Sequence, residues 1–329
     1  MEHRTFGRSG IRVSSVALGC MSLCANQTYP DISVEQAIAT VDAALETGIN
    51  FFDNAPMYGD GEAERRLGLA LRGKRERAVI ATKISTETLS SAEVVREAEA
   101  SLRRLGTDYI DLYQIHWARH AVTIDETIGA MDRLVQAGKV RALGVCNFGP
   151  IDLADALRAG PVASNQLAYS LLARGVEYEV QPMCVENQIG LLCYSPLAQG
   201  LLTGRYRSAD EVPPERARTR HFAGSRPQAR HGLEGCEAET FQAIQAIRGV
   251  CEEVDQPMSD IALAWLLRQP AVTAVLAGAS KPDQVARNVR AADLKLPAGV
   301  LHRLDRATSA LKESLGPNCD PWQAVSRIR

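Results

Sequence analysis

The sequence predicts an α/β fold, a single (β/α)8 TIM barrel spanning residues 1–329, and three observations predict it. Short apolar runs alternate with amphipathic helical stretches along the whole chain. Eight such runs occur, and their continuous rather than alternating hydrophobicity marks parallel strands buried on both faces. Three successive runs end in ionisable residues, Asp53, Lys83 and His116, which gathers charge at one end of a sheet, where barrel sites are built. A doubly wound open sheet is the alternative. No Gly-x-Gly-x-x-Gly follows any run, which argues against a Rossmann dinucleotide fold.

Taken in order, residues 3–6 and 11–13 flank Gly7-Arg8-Ser9-Gly10 and read as a hairpin ahead of the barrel. Residues 16–21 are the first barrel strand. Ser33 with Gln36 forms a capping box, followed by Ile38, Val41, Ala44 and Leu45 on one helical face and stopped by Gly48. The second strand, 49–53, carries Asp53 at its end, with Tyr58 five residues on. A helix over 63–71 leads to the third strand, 78–83, ending in Lys83. Ser90 with Glu93 caps the next helix, and the fourth strand, 110–116, ends in His116. Residues 142–147, 163–166, 190–197 and 274–278 supply the other strands, and Pro150 and Pro282 open helices at a position where proline is preorganised. Residues 199–235, Arg-rich with Pro213-Pro214, form a loop after the seventh strand too long for an ordinary connection. The tail from Ala307 starts helical and loosens through Gly316-Pro317 and Pro321-Trp322.

Composition narrows the function. With 46% hydrophobic and 23% charged residues the chain is globular, and a net charge of −2 offers no field for nucleic acid. No apolar run approaches the ~20 residues that cross a bilayer, and the first ten residues lack a signal-peptide core, so a cytoplasmic location is expected. Eight cysteines are scattered without a CxxC pair; a metal site would need Cys20, Cys24 and His116 to converge, and structural reduced thiols are the expectation instead.

The ordered set Asp53, Tyr58, Lys83 and His116 resembles the aldo-keto reductase superfamily, and in particular its branch of potassium-channel β-subunits and bacterial sugar or vitamin reductases. Supporting marks are Gly144-Val-Cys-Asn-Phe148, Asn165-Gln166, Tyr194-Ser-Pro-Leu197 with Gly200-Leu-Leu-Thr-Gly-Arg-Tyr206, and Gly278-Ala-Ser280 with Gln284 and Asn288. The likeness runs essentially the length of the chain. It implies NADPH-dependent reduction of aldehydes or ketones, reversible with the alcohol, with NADH possible. Tyr58 would be the acid, Lys83 would lower its pKa, Asp53 would orient Lys83, and His116 would polarise the carbonyl; such side chains are able to do this. Asn147 and Gln166 map onto the nicotinamide carboxamide and Tyr194 onto its ring face. Ser195, Pro196, Leu197, Gly200 and Arg205 map onto the pyrophosphate. Gly278, Ser280, Lys281, Gln284, Arg287 and Asn288 map onto the adenosine end, where two basic side chains at a helix start suit a 2′-phosphate. Cys146 replaces a usual Ser, and Arg287 stands where Glu is common.

Each residue taken alone also has a structural reading: a buried Asp53–Lys83 pair, a loop tyrosine on Pro56, a satisfied core histidine. Their joint occurrence at matching strand ends favours catalysis. Tyr29, Met57, Trp117, Arg119 and His120 are expected around the substrate, a small carbonyl or sugar-like molecule, with Arg119 and His120 alternatively facing water. A regulatory subunit that holds NADP with little turnover is the rival function.

Overall fold

Eight parallel strands close on themselves in the computed structural model of this chain, which describes residues 1–25 and 30–329. A hairpin of β1 (His3–Thr5) and β2 (Arg12–Ser14) precedes the barrel strands. These are β3 (Val16–Gly19), β4 (Phe51–Asp53), β5 (Val79–Ile84), β6 (Ile110–Ile115), β7 (Val140–Cys146), β8 (Val162–Ala168), β9 (Gly190–Tyr194) and β10 (Val272–Gly278). Each pairs with the next in sequence, and β10 returns to β3, so the sheet has no edge. The expected first strand is shorter than 16–21. Ser22 donates to the Gly19 and Ala279 carbonyls, which winds Cys20–Leu23 into a 3-10 turn.

The helices begin where the capping residues place them. α1 (Val34–Glu46) is capped by Ser33, which accepts from the Gln36 amide. α2 (Glu62–Ala70) follows β4, and α3 (Ser91–Leu105) carries the reciprocal Ser90–Glu93 box. α4 (Ile124–Gln136) is capped by Thr123, and Pro150 opens α5 (Pro150–Ala159). α6 (Val180–Glu186) precedes β9; α7 (Glu237–Glu253) and α8 (Met258–Leu266) separate β9 from β10. Pro282 opens α9 (Pro282–Asp293), and α10 (Ala298–Ala307) and α11 (Ser309–Leu315) follow. Among the described residues no helix is long and apolar enough to cross a membrane.

Two apolar layers hold the fold. The larger lies between strands and helices; the smaller fills the barrel, from Ala17, Ala81, Leu112 and Leu192 down to Phe6 and Phe51. Phe6, on the hairpin, packs edge-on to Phe51 at 5.0 Å between ring centroids and plugs the N-terminal end. Fully burying such a ring contributes ~1.5–3 kcal/mol. Above this plug the inward positions turn polar: Asp53, Lys83, Gln114, Cys146, Gln166 and Tyr194. Gly144 lies between Gln114 and Ser164 across β6–β8, where any Cβ would sit 2.5 Å from Ser164 Oγ and 3.1 Å from Gln114 Cγ.

Candidate active site

Strand register carries the site. Asp53 lies opposite Ala81 across β4–β5, and Lys83 lies opposite Gln114 across β5–β6, so both side chains enter the barrel mouth from neighbouring strands. Lys83 is fully buried. Its ammonium has three donors, and all are engaged: Asp53 (2.8 and 3.0 Å), the Asn54 carbonyl (2.7 Å) and the Tyr58 oxygen (3.4 Å). Asp53 Oδ1 also accepts from Gln166 Nε2 at 2.8 Å and Gln114 Nε2 at 3.4 Å. Burial opposes the Lys83 charge, yet Asp53 and then Tyr58 hold its pKa above the ordinary lysine value.

Tyr58 departs from the sequence expectation. Lys83 does pull its pKa down, but burial outweighs that pull and pushes the phenol up to about 12. Tyr58 is therefore a protonated phenol at neutral pH, and with Lys83 donating to its oxygen, its own O–H is left to point elsewhere. His116 faces it edge-on, 6.4 Å between ring centroids. Burial, then Lys83 and Arg119, lower the His116 pKa to about 3, so the ring is neutral. Ser85 Oγ lies 2.8 Å from its Nδ1; in the tautomer with the ring proton on Nε2 the hydroxyl donates to Nδ1. Burial likewise raises Cys146, which stays a thiol.

The expected cofactor residues are assembled at the same end but engaged with one another. Asn147 donates to the His116 carbonyl (3.0 Å) and accepts from the Tyr194 hydroxyl (2.9 Å), while Gln166 is turned onto Asp53. The loop after β9 is strained: Ser195, Ala198 and Gln199 have φ of +51°, +45° and +56°, beside Gly200 at +98°. Non-glycine residues held there cost ~1–3 kcal/mol each, a reserve that clusters at ligand clamps. Pro196 and Leu197 follow Ser195 into this loop, and a crevice beneath it is lined by Ser195, Gln199, Arg216, Thr219 and Trp322. Gln199 Oε1 is buried without a partner. Arg205 lies exposed over the Tyr206 ring. At the other end of the cleft the Ser280 amide and hydroxyl donate to Gln284, Asn288 donates to the Gly278 carbonyl, and Gln36 donates to the Ser280 carbonyl. Lys281 is exposed; Arg287 pairs with Asp283 at 3.0 Å, which offsets the charge expected of it. Strained loop, orphaned amide and cations at both ends fit a dinucleotide anion.

Around the expected substrate position Met57 is 61% exposed and Trp117 is partly buried. Arg119 lies 3.8 Å from Glu87 and His120 3.8 Å from Asp152, so both groups expected there have acidic partners. Tyr29 lies outside the described residues. Sequence reading missed Gln114, Ser85, Arg216 and two tail residues: Trp322, stacked on Tyr194 at 6.0 Å and 12°, and Arg327, 4.1 Å above the Trp117 ring. Gln114 was findable, since it shares His116's strand face two residues earlier. Among the described residues no cluster of His, Cys, Asp and Glu is placed to hold a metal, and no disulfide is present.

Comparison with known proteins places the whole chain among related barrels. Residues 15–309 match the model of the Aldo/keto reductase family. Aldo-keto reductase YhdN of Bacillus subtilis (strain 168) is 33% identical over 297 residues, 87% of each chain. The NADH-specific methylglyoxal reductase of Escherichia coli (strain K12) is 31% identical over 319 residues, 90% of this chain and 95% of that one. An aldo-keto reductase from Klebsiella pneumoniae, crystallised with NADPH, superposes with a TM-score of 0.74 at 30% identity, covering 100% of this chain and 99% of the other.

Proposed function

The chain belongs to the aldo/keto reductase family, and on that premise we propose that it reduces small aldehydes or ketones with NADPH, Tyr58 donating the proton. One observation carries the reading: a single buried ammonium, Lys83, is bonded at once to Asp53, the Asn54 carbonyl and the Tyr58 oxygen, with neutral His116 beside them. Asp53 holds Lys83 in place, and Lys83 fixes the Tyr58 oxygen and stabilises the phenolate left after proton transfer. His116, with its proton on Nε2, hydrogen-bonds and polarises the carbonyl oxygen. NADPH, when bound, supplies the hydride to the carbonyl carbon. The oxygen takes the Tyr58 proton, the C=O bond becomes a C–OH bond, and solvent restores the proton to Tyr58.

Asn147 and Gln166 would hold the carboxamide and Tyr194 the nicotinamide ring. Ser195, Pro196, Leu197, Gly200 and Arg205, joined by Arg216, would hold the pyrophosphate. Gly278, Ser280, Lys281, Gln284, Arg287 and Asn288 would meet the adenosine ribose and its 2′-phosphate. The substrate is a small carbonyl, with hydroxylated ones suited to the polar mouth; pairing of Arg119 and His120 with acids lessens the advantage of an acidic substrate. Loss of nicotinamide absorbance with a panel of small aldehydes and ketones, methylglyoxal included, tests the function. Consumption with alcohol formed is expected. NADPH bound but unconsumed across the panel would favour the regulatory reading instead.

A further inference from the structure

Arg220 sits in the long loop after β9, 8% exposed, and every group of its guanidinium meets main chain from the C-terminal tail. Nη1 donates to the Leu315 carbonyl at the end of α11 (2.9 Å), Nη2 to Asn318 (2.7 Å) and Nε to Asp320 (3.0 Å). Its own amide donates to the Pro321 carbonyl (2.7 Å). No carboxylate lies within ion-pair reach of it among the described residues; carbonyl dipoles meet the charge. A planar fork with donors in fixed directions makes this contact specific, and a lysine could not reproduce it.

Both sides of this contact are themselves anchored. On the loop side, Arg216 donates to the Gln199 carbonyl (2.7 Å). His221 donates from Nε2 to the Leu172 carbonyl (2.8 Å), which leaves Nδ1 to accept from Thr219 (3.0 Å). On the tail side, Asp320 is fully buried and accepts from the Trp322 amide (3.0 Å) and from the Arg327 side chain (2.6 and 3.1 Å), which organises residues 318–327 into one body. That body presents Trp322 to Tyr194 and Arg327 to Trp117.

We propose that Arg220 is a positioning residue that makes the cofactor loop and the tail one mechanical unit, so that residues 198–204 held over the dinucleotide also keep Trp322 on Tyr194 and the substrate mouth complete. This rests on the reading of Tyr194 as the surface that carries the nicotinamide. Residues 198–204 are tied to the Arg220 segment by the Arg216–Gln199 hydrogen bond, that segment cannot leave the tail without breaking the four bonds of Arg220, and a displaced tail withdraws the ring stacked on Tyr194.

Hydrogen exchange on the wild-type protein, with and without NADPH, tests the coupling directly. NADPH is expected to slow amide exchange across 198–204 and also across 316–327. Protection of the loop with the tail unchanged would overturn the coupling alone; failure of NADPH to bind would overturn the proposed function, and the coupling with it. Stopped-flow NADPH release adds a second readout. Arg220→Met and Trp322→Leu should each speed release about tenfold, the scale of one lost aromatic contact. The double variant should be no faster than the faster single, because both remove the same link. Multiplying effects, or unchanged release in Arg220→Met, would contradict the proposal; the exchange experiment decides if that variant does not fold.

Discussion

Lys83 and Arg220 are both buried cations that hold a functional layer together, and they differ in what holds them. Lys83 is met by a side chain, Asp53, from the neighbouring strand, at a level set by parallel register. Among the described residues Arg220 is met by main-chain carbonyl oxygens, of Leu315 at the end of α11 and of Asn318 and Asp320 beyond it. The first arrangement is a pair of opposite charges taken out of water, which is costly to break from one side. The second spreads one charge over dipoles that any residue type could provide. The strand ends are thus held by side chains set by register, while the loop and tail above them are held through main chain.

The largest expected effect breaks the pair. Lys83→Met strands Asp53 without its cation and should cost ~3–5 kcal/mol in denaturant unfolding, together with most of the activity. The matching cut in the tail, Arg327→Ala, removes a half-exposed partner of Asp320 and should cost no more than ~1–2 kcal/mol. Equal losses would erase the distinction between the two regions.

A pH series gives a smaller effect, with one histidine in each region. His116 and His221 have folded pKa values lowered to about 3 and about 4, burial being the leading cause in both. A group depressed below its unfolded value of ~6.5 contributes its full stability above that pH. The contribution then falls as pH drops toward the folded value, by ~1.4 kcal/mol per unit for a fully buried ring. His221→Gln should flatten the acid side of the stability profile between ~6.5 and 4. An unchanged slope would remove His221 from the account. Smallest is the adenosine end. Lys281→Ala should weaken NADPH ~3–10-fold and leave NADH untouched, since only the phosphate feels its charge. Arg287→Ala should do less, because Asp283 already pairs with it. Fluorescence titration with both cofactors checks each; equal losses for NADPH and NADH would contradict the assignment.

The same contrast explains what the sequence made legible. Side-chain networks on strands leave a trace of residue type at a fixed period, so Asp53, Lys83 and His116 were visible along with the eight strands and the Ser90–Glu93 cap. Gln114 fell on that same period and was overlooked. The Tyr58 pKa was misjudged because residue types show that Lys83 is near, while the extent of burial, which wins, appears only in three dimensions. Arg220, Trp322 and Arg327 were invisible for a deeper reason. Main-chain carbonyls carry no signature, and stacking of a tail tryptophan on Tyr194 depends on a path through residues 316–329 that no periodicity describes. The shorter β3 has a related cause: one Ser22 hydroxyl reaching two carbonyls ended the strand at Gly19.

The role of Tyr58 is the central claim, and single-turnover reduction tests it most directly. Enzyme saturated with NADPH is mixed with a small aldehyde, and nicotinamide absorbance is followed in the wild type and in Tyr58→Phe. Phenylalanine keeps the ring but removes the phenol oxygen bonded to Lys83, so hydride transfer should slow by ~100-fold or more while NADPH affinity stays the same. A Tyr58→Phe protein that reduces the aldehyde at near wild-type rate would contradict the account.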